Sequence, residues 1–397
     1  MLKTDTLAMT AVLALLTALG PLSTDMYLPS LPAIARDLEA TTAGTQMTLS
    51  AFLLGFAVGQ FVYGPVSDRI GRKPVLLFGL GLFLIASAAC TFAPTIEALI
   101  GARFVQALGA SGPIVLARAM VRDLYEGPRA GRELSRMGTI MGVVPAAAPV
   151  VGGLLHEAFG WRANFAAAIV FGAALTALVF ARLPETIRVR SPDRIAFGAI
   201  LRGFRALLAH RAYRIYVALS ALAYGGLFAF ISGSSFVLQG LYGLDELAYA
   251  FSFGVMVVGF IGGTTLAQRL VGRHGLDGTI RFGVAALAAG GGIMLALVAA
   301  GVPSSLAVTL PMALYGVGVG LTMPQSMASA MMPFPDRAGA ASSLLGICQM
   351  TFAALLGIGL GQALGTSALP LPLTIAASGG LALVLFLATG RARKYTS

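Results

Sequence analysis

Apolar residues fall in twelve long runs, separated by short islands of charge, glycine and proline. The runs lie at about 7–34, 45–66, 74–93, 97–121, 135–156, 163–182, 212–238, 246–268, 279–300, 305–330, 338–363 and 370–390. Each is close to the roughly 20 residues that a helix needs to cross a bilayer core of about 30 Å. The pattern predicts an all-α integral membrane protein with twelve transmembrane helices. Pro21, Pro29 and Pro32 are expected to bend the outer part of the first. The stretch 183–211 divides the chain almost evenly, into six-helix halves at 1–182 and 212–397. Within it Ile195, Phe197, Ile200, Leu201, Phe204 and Leu207 alternate with Arg194, Arg202 and Arg205. Two readings stand: an amphipathic helix lying on anionic lipid, or a plain basic linker.

Composition narrows the class. The 397 residues are 57% hydrophobic and only 11% charged, where a soluble domain carries about a quarter. Fifty glycines fit close packing of membrane helices. The net charge of +11 does not point to nucleic acid, because the bases are spread over many islands rather than gathered on one face. Their sidedness says more. With the N-terminus inside and twelve spans, 23 of the 27 bases face the cytoplasm, as the positive-inside rule requires. Arg36 and Arg162 fall outside, and Arg103 and Arg118 lie within span 4. Both termini are therefore expected in the cytoplasm. Residues 1–23 resemble a leader in charge and hydropathy, but more membrane follows, so they are read as the first span. Cys90 and Cys348 lie in apolar runs and predict neither a disulfide nor a metal site.

One island is unusually dense: Gly64-Pro65-Val66-Ser67-Asp68-Arg69-Ile70-Gly71-Arg72-Lys73. Here the chain is expected to leave the bilayer, turn sharply at Gly64 and Gly71, which lack a Cβ, and return. Gly64, Asp68, Arg69, Gly71, Arg72 and Lys73 resemble the signature loop between helices 2 and 3 of the major facilitator superfamily. A worn copy at 263–273 sits 200 positions later, with Arg269 matching Arg69 and Gln268 in place of Asp68. Two pseudo-symmetric six-helix halves are what that resemblance implies.

Ionisable groups inside a membrane are costly and usually functional. Most acids, including Asp123, Glu133, Glu185 and Asp277, are placed by this reading in loops or at span edges. Asp25 remains, within Ser23-Thr24-Asp25-Met26-Tyr27-Leu28-Pro29. It lies roughly 13 Å from the outer end of span 1, and Arg103 roughly 9 Å from the same side of span 4, at 1.5 Å per residue. A carboxyl balanced between an apolar surround and a base can gain and lose a proton. The alternatives are a wet interfacial Asp25 and an Arg103 that anchors helix backbones. Arg118 and Arg122 share a helix face, and Arg118 is placed to snorkel. Asp123 either pairs with a base of the 69–73 island or is a solvated helix end. Span 5 carries Gly138, Gly142, Pro145, Pro149, Gly152 and Gly153, a smooth and bent face. Tyr27, Phe52, Phe56, Tyr224, Phe228, Phe236 and Met323, with Gln46, Gln325 and Gln349, are candidates for a cavity wall, each also explicable by packing. His156, His210 and His274 are scattered, and no nucleotide loop appears, which disfavours a membrane enzyme.

Ala148-Pro149-Val150-Val151-Gly152-Gly153 resembles the helix 5 motif of drug/proton antiporters. Arg103-Phe104-Val105-Gln106-Ala107-Leu108-Gly109-Ala110 resembles a helix 4 motif, departing at Ala107, where glycine is usual. With Thr24-Asp25-Met26-Tyr27-Leu28-Pro29, Trp161-Arg162 and Leu183-Pro184-Glu185-Thr186, these segments resemble the Bcr/CflA family of multidrug exporters. The resemblance implies proton-driven efflux of amphiphilic antibiotics such as bicyclomycin, chloramphenicol or sulfonamides across a bacterial inner membrane. No cofactor is expected beyond the proton gradient, and the chain is expected to work as a monomer. Asp25 would be the protonatable group, Arg103 its modulator, and the 64–73 island with Arg122 and Asp123 the conformational latch. A dedicated exporter of a metabolite, such as an amino-acid derivative, is the alternative.

Overall fold

The computed structural model describes residues 6–125, 127–187, 197–334, 337–364 and 367–393. Regular structure among them is helical throughout. The first unit holds α1 (Leu7–Asp25), a 3-10 turn (Leu28–Ser30), α2 (Leu31–Asp37), α4 (Arg72–Thr91), α5 (Ile96–Leu124), α6 (Gly127–Phe159), α7 (Arg162–Arg182) and most of α3 (Thr42–Ile70). The second holds α8 (Phe197–Ala209), α9 (Arg211–Ser235), a wider helical turn (Phe236–Leu241), α10 (Glu246–Ala299), α11 (Leu306–Met331), α12 (Ala338–Ala363), α13 (Pro370–Ala388) and α14 (Gly390–Arg393). Contacts group Thr41–Ser50, the start of α3, with the second unit.

Among the described residues ten helices are long and apolar enough to cross a membrane. One of them, α10, has 54 residues and bends at Gly275 (φ 69°), so it supplies two crossings. The 33-residue α6 completes the expected twelve. Lipid suits their outer faces. On α4 and at its C-cap, Phe78, Ile85 and Phe92 recur every seventh residue and are 68, 72 and 80% exposed. An apolar stripe of that kind would be a liability in water. Inside the first unit, α4 packs on α5 and α7, and α1 on α5 and α6. In the second, α10 packs on α11 and α13, and α9 on α11, α12 and α13. A methyl at Gly109 would stand 2.4 Å from the Phe83 backbone nitrogen, so α4 and α5 approach along a glycine face.

Several boundaries differ from the sequence reading. Span 1 does not run to residue 34 as one helix; α1 stops at Asp25. Pro29 has no N–H to give the Asp25 carbonyl, and its ring would collide with that carbonyl in a continued helix. Ser30 instead bonds to the Tyr27 carbonyl at 3.0 Å, closing the 3-10 turn. The 64–73 island is not a loop. Helix α3 runs through Gly64 to Ile70, and α4 begins at Arg72. The reversal rests on Gly71 alone, at φ 121°, a conformation that side chains with a Cβ rarely adopt. Gly64 is helical with open space beside it, so it does not serve the turn. The second-half counterpart of Gly71 is Gly275, so the repeat runs at 204 positions rather than 200, and Arg273, not Arg269, matches Arg69.

Glu133 was placed at a loop edge but lies within α6, 6% exposed, accepting the Thr10 hydroxyl at 2.6 Å. Asp277 stands two residues past the Gly275 bend, at the start of the second crossing of α10, an edge position as expected. In α8, Phe204 and Leu207 are buried and Leu201 is exposed. Ile195, Arg194, Lys3, Asp5, Asp193 and Asp336 lie outside the described residues, as do the side chains of Phe197, Arg129, Arg132 and Arg136.

Candidate functional site

Asp25 is the last residue of α1, 7% exposed, and among the described residues its carboxyl makes no hydrogen bond or ion pair. The helix end around it is braced by its own hydroxyls. Ser23 bonds back to the Leu19 carbonyl at 2.6 Å and Thr24 to the Gly20 carbonyl at 3.2 Å. The freed carbonyl of Met26 points at α6: a methyl at Gly152 would stand 1.7 Å from it. Pro149 and Pro145 lie one and two turns before, in the same helix, and Gly153 is buried beside it. Gly142 is helical too, but only its backbone is described.

Arg103, in α5, is fully buried next to this break. Its Nη1 donates to the Ser23 carbonyl at 3.1 Å and to Gln106 Oε1 at 2.6 Å. Gln106 in turn donates to Ser87 Oγ at 2.8 Å, and Cys90 Sγ lies 3.9 Å from its carbonyl oxygen. The guanidinium lies 4.2 Å from the Phe52 ring centre, 4.6 Å from Tyr27 and 5.7 Å from Phe165. Its charge is thus met by π faces, a carbonyl and an amide. Nε and Nη2 are buried without a hydrogen bond among the described residues. The structure therefore brings Arg103 to the level of Asp25, through the backbone two residues before it rather than through an ion pair. Sequence reasoning missed Gln106 and Ser87 as its partners, although both are polar residues inside apolar runs.

The outer end of this region is tied to α7. Trp161 Nε1 donates to Asp37 at 2.8 Å, and Arg162 lies over the Trp161 ring at 4.1 Å. Asn164 donates to Ser30 Oγ at 3.0 Å. Phe165 meets Tyr27 at 5.6 Å and Trp161 edge-on at 6.1 Å.

A second constellation surrounds Gly71. Arg72, buried, donates Nε to Asp123 at 2.9 Å, Nη1 to Ser67 Oγ at 2.6 Å, and Nη1 to the neighbouring Asp68 carboxylate. Thr186 adds its hydroxyl to Asp123 at 3.0 Å. Of the two readings of Asp123, the structure has the one paired with a base. Glu185 accepts the backbone N–H groups of Arg72 at 2.9 Å and Lys73 at 3.2 Å, capping α4 where its dipole favours an anion. Lys73 Nζ reaches the Phe180 carbonyl at 2.9 Å. Arg69 and Arg122 are exposed and make no ion pair among the described residues, and Arg118 is exposed as well. Glu185 was not singled out for this role, because nothing local marks an acid as the cap of a helix that starts 113 residues earlier.

The candidate cavity residues are mostly packed. Phe52 stacks on Phe56 at 6.1 Å as well as facing Arg103. Phe228 is buried and stacks on the half-buried Tyr224 at 6.4 Å, and Phe236 is half-buried in its wide turn. Gln46 is fully buried, its amide without a partner among the described residues, and a methyl at Gly361 would stand 2.8 Å from its oxygen. Gln349 lies 3.8 Å from the Met323 sulfur, and Gln325 is buried nearby in sequence.

Membrane-length helices with charge buried between them fit a transporter architecture. The sequence pattern of the Major Facilitator Superfamily matches residues 13–358, and the chain belongs to that superfamily of transporters. It is 32% identical to an uncharacterized MFS-type transporter, YdgK, of Bacillus subtilis, over 92% of this chain and 91% of that one. It is 31% identical to a bicyclomycin resistance protein homolog of Haemophilus influenzae, over 87 and 86%. With multidrug resistance protein MdtL of Escherichia coli the identity is 35%, over 95 and 94%. Among solved structures, the Escherichia coli xylose transporter XylE in a partially occluded inward-open form superposes with a TM-score of 0.75 at 14% identity, covering 97% of each chain. A D-xylose–proton symporter does so with a TM-score of 0.75 at 16% identity, covering 95 and 96%. These likenesses establish an all-α, twelve-span major facilitator fold and a multi-pass membrane protein that is not an enzyme.

Proposed function

We propose that the chain exports amphiphilic drugs in exchange for protons, with Asp25 as the proton carrier. The observation that carries the reading is the buried Asp25 carboxyl at the break of α1, unpaired among the described residues, beside an Arg103 held by neutral groups. A carboxyl so placed changes its protonation without first breaking an ion pair. Relatives named for resistance to bicyclomycin, chloramphenicol and multiple drugs support the substrate class. Tyr27 and Phe52 supply aromatic faces that suit such compounds, with Phe56, Tyr224, Phe228, Phe236 and Gln46 as further wall candidates. The helix 5 residues Gly142, Pro145, Pro149, Gly152 and Gly153 shape the wall behind Asp25. The Arg72–Asp68–Asp123 cluster, with Gly64, Arg69, Gly71, Lys73 and Arg122 around it, acts as the latch. No cofactor is needed beyond the gradient. The protein works as a monomer in a bacterial inner membrane, with α8 on the inner leaflet and both termini in the cytoplasm.

The test is chloramphenicol transport in proteoliposomes under an imposed pH gradient, comparing the parent with Asp25→Asn. Transport by the parent that is lost in a folded Asp25→Asn supports the assignment. Equal transport by both would move the proton path elsewhere. No transport by either would sink the drug reading and favour export of a metabolite.

A further inference from the structure

The buried carboxylate and guanidinium side chains among the described residues are Asp25, Arg72, Arg103, Glu133 and Arg393. Arg393 belongs to neither constellation above. It lies in α14, the four-residue helix after α13. Its Nε donates to Asp277 at 3.0 and 3.4 Å, and its Nη1 to Thr389 Oγ1 at 2.8 Å and to the Phe386 carbonyl. The guanidinium carbon stands 3.6 Å from the Phe386 ring centre. Tyr216, near the start of α9, donates its hydroxyl to the same Asp277 carboxylate at 3.2 Å. Asp277 comes two residues after Gly275, where α10 bends with φ 69°. One carboxylate beside the bend is thus gripped from α9 and α14.

The first unit has the same construction with its signs exchanged. There Arg72 follows the positive-φ Gly71 and takes acids from α3 and α5. Here the acid follows the bend and the base comes from the far end of the unit. The burial pattern is shared. The Arg393 side chain is 4% exposed and its Asp277 partner 48%, against 9% for Arg72 and 52% for Asp68. A buried base facing a half-wet acid is a contact that can open on one side only. Water can take over the Asp277 carboxylate, while Arg393 keeps the Phe386 carbonyl, the Thr389 hydroxyl and a ring face.

We propose that Asp277 and Arg393 form a clasp of the second unit, a positioning pair that holds the Gly275 bend in one access state and releases it in the other. It rests on the chain being a transporter, not on which compound or ion it carries.

The test is a double-mutant cycle on the full chain with two readouts. The first is hydrogen exchange over residues 274–281 in lipid nanodiscs. The second is the maximal rate of chloramphenicol transport in proteoliposomes. Asp277→Asn and Arg393→Gln should each speed exchange there about ten-fold and cut the maximal rate about five-fold with KM unchanged. The double variant should do no more than the stronger single, and Arg393→Lys should retain part of the protection. Parent-like exchange in Asp277→Asn, or effects that multiply in the double, would overturn the clasp. If Arg393→Gln does not fold, Asp277→Asn decides alone, since its half-exposed side chain is not part of the core. If the parent moves no chloramphenicol, the drug reading has failed and the exchange readout still decides the clasp.

Discussion

Arg103 shows how a full charge is kept inside a membrane helix bundle with no acid against it among the described residues. Two aromatic faces, a backbone carbonyl and the Gln106 amide replace the water it has lost. Lysine cannot reproduce that arrangement, because its ammonium neither stacks nor presents a fork. Arg103→Lys should therefore lower gradient-driven transport at least about ten-fold, a loss of roughly 1.4 kcal/mol in the barrier, while the chain still folds. Gly152→Ala drives a methyl into the Met26 carbonyl; overpacking of this kind costs about 1–3 kcal/mol. A fall in thermal midpoint together with lost transport is expected, and a variant as stable and active as the parent would show that α6 can simply move away. Asp25 and Arg103 were legible in the sequence because each is a lone charge in an apolar run. Glu133 and Glu185 were not, because each sits among other charges and finds its partner more than a hundred residues away. The contact from Arg103 to Ser23, across 80 positions, could not be read either.

At the scale of elements, the number of spans was legible and their ends were not. Hydropathy falls wherever charge begins, but a helix continues for as long as its backbone bonds are satisfied. So α3 carries Asp68 and Arg69 as helical residues, and α6 extends to Gly127. Proline acts the other way and ends α1 early at Asp25. Restoring the missing N–H with Pro29→Ala should lengthen α1 past Asp25. The expected result is slower transport, with added hydrogen-exchange protection at residues 26–30. Glu185→Gln removes the anion from the start of α4, where it accepts two backbone N–H groups, and should cost about 1.5–3 kcal/mol for hydrogen bonds to a charged group. Thermal unfolding of the purified protein measures it; a loss near zero would mean that water caps α4 equally well.

For the molecule as a whole, each of the two units of helices carries a polar cluster beside a positive-φ glycine, Gly71 in the first and Gly275 in the second. Exchange with protons predicts that nigericin, which dissipates a pH gradient in potassium-containing medium, stops drug accumulation in vesicles at once without unfolding the protein. Persistent accumulation would require a different driving force. Trp161 offers a way to watch such a cycle without any label. It is the single tryptophan of the sequence, its indole N–H is bonded to Asp37, and it touches the Phe165 ring that faces Arg103. The ultraviolet emission of the chain is therefore a built-in optical signal from this one corner. Its colour should shift when Asp37→Ala frees the indole, and its intensity should drop when a light-absorbing drug settles beside Tyr27.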